Sequence, residues 1–147
     1  MLNYILADFL ERDIRKVIEE INLFSNEDNL WKTHGSIRNS SGNLVLHLVG
    51  GMSFLIGATL GRTGYVRNRD EEFMKKGIAR KNLVAELEML IPMVRSTLAG
   101  LSPEKMNNEF PIFFDKPKTS TSYVLVQLLA HLNYHLGQIN YLRRMLE

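Results

Sequence analysis

The chain carries four histidines, and two of them, His131 and His135, stand four residues apart in HLNYH on a strongly helical segment. A separation of four puts two side chains on one face, one turn apart, near enough to bind a single ion. Neutral imidazole is a common ligand for zinc, nickel, copper and iron. His47 lies mid-way along another, strongly apolar helical segment, with Leu44, Gly51 and Phe54 on its side, and is the third candidate ligand. On a wheel of about 100° per residue, His131, His135, Gln138, Gln127, Val124 and Leu142 share a face, and Asn133, Asn140 and Arg144 point the opposite way. The pair therefore faces partly into the interior, where unpaired imidazoles are costly. Either a metal ion or a set of hydrogen bonds must satisfy them. His34 sits in a polar loop near Trp31 and is expected on the surface; nothing in the sequence supports a lid role for Trp31.

Three neutral histidines leave a cation's charge uncompensated and at least one coordination position open, whereas a structural zinc site normally has four protein ligands. An open site suits catalysis. The ion lowers the pKa of a bound water toward neutrality, or it holds a low-molecular-weight thiol as thiolate. The chain has no cysteine, so that thiol is a co-substrate, and disulfides, thiolate ligands and cysteine nucleophiles are excluded. Rival metal motifs are missing: there is no H-E-x-x-H of the zincin type and no E-x-x-H of the di-iron bundles. Ring-orienting partners are expected beside the ligands. Gln138, one turn after His135, and Asn43, one turn before His47, are the candidates.

These residues must be positioned by long helices. Leu10, Ile14, Val17, Ile18, Ile21 and Phe24 recur at helical spacing and predict a first helix from about Asn3 to Phe24. A polar loop follows, with Ser40 or Ser41 as N-cap of a second helix over about Gly42 to Leu60, apolar nearly all round. The long connection after it holds DEEFMKK, which predicts a helical turn. Arg62 to Lys81 contains seven basic and three acidic residues, a solvated loop or a guide for an anionic substrate. Leu83, Leu87, Leu90, Ile91, Val94 and Leu98 mark a third helix ending at Gly100, with Pro92 expected to kink it. Ser102-Pro103-Glu104 predicts a short capped turn, and EFPIFF at 109–114 an extended segment, half of a small hairpin. The last helix takes its N-cap from Thr119 to Ser122 and runs to the C-terminus. Four long helices without a convincing sheet predict an all-α, four-helix bundle in one domain.

Composition narrows the function classes. An apolar fraction of 45% over 147 residues fits one globular core, and a net charge of +2 argues against a dedicated nucleic-acid binder. The N-terminus lacks the pattern of a signal peptide, and a cytoplasmic location is expected. Leu44 to Gly61 carries no charged side chain, but its His47, glycines and hydroxyls predict burial in protein rather than a membrane span.

The layout resembles the DinB-like superfamily, also called YfiT-like metal-dependent hydrolases, over essentially the whole chain. The resemblance rests on NSSGNLVLHLVG around His47, NRDEEF at 68–73, and HLNYHLGQINYLRR, whose HxxxHxGQ is the most specific part. It implies an up-down-down-up four-helix bundle in which His47, His131 and His135 bind nickel or zinc, often in a homodimer. It further implies thiol-dependent transferase or hydrolase chemistry on a small-molecule substrate, with a low-molecular-weight thiol as co-substrate. Asp70 and Glu72 are, by the same resemblance, the nearest candidates for a general base, with capping or salt bridging the expected role. A non-enzymatic metal- or small-ligand-binding bundle, or a dimeric stress protein, is the alternative, supported by the lack of an obvious general base.

Overall fold

The computed structural model describes residues 1–112 and 119–147, and its regular elements are helical. The α-helices are α1 (Leu2–Asn22), α2 (Ser41–Met52), α3 (Arg69–Met74), α4 (Arg80–Ala99), α5 (Pro103–Asn107) and α6 (Thr121–Leu146). A 3₁₀ turn covers Glu27–Trp31, and α2 continues as a π-helix over Ser53–Leu60. The one β feature among the described residues is an isolated antiparallel bridge between Glu109 and Ser120. It accounts for the start of the expected hairpin segment; residues 113–118 lie outside the described residues.

The periodic apolar positions form the core. Leu6, Leu10, Ile14, Val17 and Ile21 of α1 are buried, as are Leu83, Leu87, Leu90, Val94 and Leu98 of α4. Burying such stripes against one another is the main favourable term holding the helices together. The starts are capped as the side chains allow: Ser40, Ser102 and Ser120 each accept from a backbone N–H three residues on. The α4 helix runs from Arg80 to Ala99 through Pro92, which faces solvent.

Two contacts of α6 aim its histidines. Its polar side is clasped to α1: Asn133 Nδ2 donates to the buried Asp13 at 2.7 Å, Asn140 Nδ2 donates to Glu20 at 2.7 Å, and Arg143 pairs with Glu20 at 3.0 Å. The opposite side, carrying His131 and His135, is thereby turned toward α2, which packs on both α4 and α6. Ser41–Leu60 is long and apolar enough to cross a membrane, yet about two-thirds of it is buried inside the molecule.

The π-helical end of this segment departs from the expected regular helix. Gly61 N–H donates to Ile56 O at 2.9 Å, a five-residue closure, and Thr59 Oγ1 donates to Phe54 O at 3.0 Å. A Cβ at Gly61 would stand 2.7 Å from Thr97 Oγ1 of α4. The glycine thus lets the widened turn lie against its neighbour. An apolar run with no polar face carries no signal that separates the two helix types.

Candidate metal centre

His47 stands on α2, and His131 and His135 on successive turns of α6. Their Nε2 atoms converge: His47 to His131 is 3.2 Å and His135 to His131 is 2.9 Å. One ligand nitrogen from each ring lies within 4.8 Å of the others. Zinc–imidazole bonds of about 2.0–2.1 Å place two ligand nitrogens about 3 Å apart at tetrahedral or right angles, so the His47–His131 and His131–His135 separations each suit donors on one ion.

Their outer hydrogen bonds fix which nitrogen faces inward. His47 Nδ1 lies 3.0 Å from Glu72 Oε1, and His135 Nδ1 lies 2.6 Å from Gln138 Oε1. A carboxylate and an amide oxygen only accept, so both Nδ1 atoms carry the proton and both Nε2 lone pairs turn inward. His131 Nε2 sits between them. It carries at most one proton when neutral, and so cannot satisfy both neighbours. One lone pair is left facing another, unless a cation takes the centre.

Burial supports the neutral state that metal binding needs. It holds His47 below the ordinary imidazole value, against the opposing pull of Glu72. It holds His135 below that value too, against Gln138. His131 is pushed down to about 4, first by burial and then by the positive charges of His135, His47, Arg67 and Arg69. A depressed pKa in the folded state means that the unfolded chain takes up protons first as pH falls. The metal-free protein should therefore lose stability as pH drops from 6.5 toward about 4. Thermal melts across that range should show the slope reduced in His131→Asn; an unchanged slope would show that His131 titrates freely.

Glu72 is only 5% exposed; the resemblance offers it, with Asp70, as a candidate carboxylate, and it makes the expected salt bridge, here with Arg67, while no local signal sets it against His47. It sits on α3, held by Arg67 through two contacts, Nε to Oε2 at 2.8 Å and Nη2 to Oε1 at 2.9 Å. The contact rests on Gly50, where a Cβ would fall 2.0 Å from Glu72 Oε2. A glycine one turn from a buried histidine is the one local sign that another side chain must approach there.

Asn43 does not orient His47 as expected. It is fully buried, and its Nδ2 donates instead to Glu72 O at 2.9 Å and Lys75 O at 2.8 Å, while Ser40 Oγ donates to its Oδ1 at 2.7 Å. It therefore pins α3, which carries Glu72, to the start of α2. Asp70 is exposed in the first turn of α3, which Asn68 caps. His34 is exposed and lies outside the cluster, and Trp31 packs over Gly42.

Two cavities flank the imidazoles along the α2/α6 seam. One, of about 250 Å³, is lined by His47 and His131. The other, of about 320 Å³, is lined by His135 and Gln138. A wider cleft of about 580 Å³ between α2 and α4 touches Glu72 but none of the three histidines.

Comparison with curated proteins gives no match. The family described as protein of unknown function (DUF1572) matches residues 4–147, which takes in all three histidines, Glu72 and Gln138. The match spans nearly every residue, and the chain belongs to the DUF1572 family.

Proposed function

We propose that this protein is a DinB-like four-helix bundle that holds one divalent ion, nickel or zinc, on His47, His131 and His135, and transfers a small thiol onto an electrophile. The observation that carries the reading is the meeting of three Nε2 atoms, two of which, on His47 and His135, have outer partners that turn their lone pairs inward. Bound there, the ion would act as a Lewis acid, lowering the pKa of a thiol or water placed in its open position.

The protein's own groups favour a thiol over water. Among the described residues, no carboxylate lines the cavity beside His47 and His131, and Glu72 is committed to His47 and Arg67. The site therefore offers no free base. A thiol needs little help to ionise, since its ordinary pKa is about 8.5, against about 15.7 for bulk water. In the transfer a sulfur–carbon bond forms, the leaving-group bond breaks with its electron pair, and the thiol proton goes to solvent. The chain's role is to hold the imidazoles neutral and oriented, with apolar walls beside them that limit water.

The test is metal analysis of protein purified without added metal, followed by electrophile conjugation with thiols ranging from short mercaptocarboxylates to glutathione, bacillithiol and mycothiol. A stoichiometric ion and turnover that requires thiol are expected. Turnover without thiol would make the protein a hydrolase, and an ion without turnover would leave a metal-binding module. Absence of any ion, also after incubation with nickel or zinc, would end the metal reading.

A further inference from the structure

We propose that the ligand accepted beside the three histidines is a small thiol with a single carboxylate, which is held by Arg69; this rests on the metal reading above. The cavity of about 250 Å³ between α2 and α6 is lined by His47 and His131, by apolar side chains that include Met52 and Leu128, and by Arg67 and Arg69. Among the described residues, no Asp or Glu lines it.

The two arginines differ in what they have left to offer. Arg67 spends its fork on Glu72, so its charge is matched. Arg69 makes no ion pair among the described residues and is exposed. Its guanidinium carbon lies 6.0 Å from the Phe73 ring, and the Phe73 and His47 ring centroids are 5.0 Å apart. The aromatic ring thus bridges the free guanidinium and the histidine cluster.

Charge balance then selects the ligand. A divalent ion on neutral imidazoles, with Arg69 beside it and Arg67 already neutralised, leaves the cavity strongly positive. A ligand with an ionised donor and one carboxylate offsets most of that charge. The planar fork of arginine matches a carboxylate in geometry. The cavity is smaller than the roughly 300–1,000 Å³ of drug-sized pockets, so the body between the two ends must be short. Its apolar walls favour methylene groups over further polar ones.

The experiment uses the full chain loaded with cobalt(II), whose visible bands report coordination. It is titrated with mercaptopropionate and with mercaptoethanol, thiols of similar size that differ in the carboxylate. Mercaptopropionate should bind at least about tenfold tighter, the scale of a charge-assisted hydrogen bond. In Arg69→Gln that preference should vanish while the cobalt bands before thiol addition stay unchanged. Equal binding of the two thiols to the parent protein, or a preference that survives in Arg69→Gln, would overturn the proposal. Cobalt bands that never appear would overturn the three-histidine site itself and this inference with it, an outcome visible before any thiol is added.

Discussion

His131→Ala should abolish stoichiometric metal binding while leaving the metal-free protein nearly as stable as its parent. His131 Nε2 is the middle atom of the cluster, 3.2 Å from His47 Nε2 and 2.9 Å from His135 Nε2. Without it the two remaining donors lie on different helices and share no bridging ligand. The loss of affinity should exceed the roughly 10–100-fold typical of removing an outer partner, because a ligand itself is gone. The metal-free state responds differently. There, His131 faces lone pairs it cannot all satisfy, and its deletion relieves that conflict while giving up some half-buried packing. An ion present at a thousand times its dissociation constant stabilises the parent by about 4 kcal/mol. Melting the parent and His131→Ala with and without nickel or zinc should therefore show a large metal-induced rise in the parent only. An equal rise in both proteins would place the ion elsewhere.

The parts of this centre differ in how far local sequence shows them. The spacing of His131 and His135 is legible because helical periodicity is local, and the apolar residues around them leave little doubt about the helix. That His47 meets them is a long-range fact. It depends on α6 being clasped to α1 through Asn133, Asn140 and Arg143, residues that look like an ordinary polar face. Glu72 was harder still. It lies in a short helix whose place is set by Asn43 reaching from the first turn of α2 to the carbonyls of Glu72 and Lys75. Asn43 is one turn before His47, so periodicity points it at the imidazole. At a helix start, however, side chains also reach the flanking segments, and tertiary contact decided the matter. The π-helical turn over Ser53–Leu60 has no signature at all in an apolar run.

Glu72→Gln should weaken metal binding about 10–100-fold, because the carboxylate behind a ligating histidine fixes its tautomer and raises its basicity. It should also destabilise the fold, since the substitution leaves Arg67 facing a neutral amide. Breaking a fully buried pair costs roughly 3–5 kcal/mol; the cost here is smaller, because the Arg67 side chain keeps 18% exposure to water. The two effects separate by further variants. Adding Arg67→Met to Glu72→Gln removes the orphaned charge and should recover stability, measured by urea denaturation, without recovering metal affinity. Gly50→Ala approaches the same carboxylate from below without altering any charge. Its Cβ would stand 2.0 Å from Glu72 Oε2 and 2.6 Å from Cδ, so the carboxylate must move off its hydrogen bond to His47. Affinity measured by competition with a chelator should fall in Gly50→Ala as it does in Glu72→Gln. Parent-like affinity in both variants would show that His47 is oriented without Glu72, and the buried ion pair would then serve only to fasten α3 to α2.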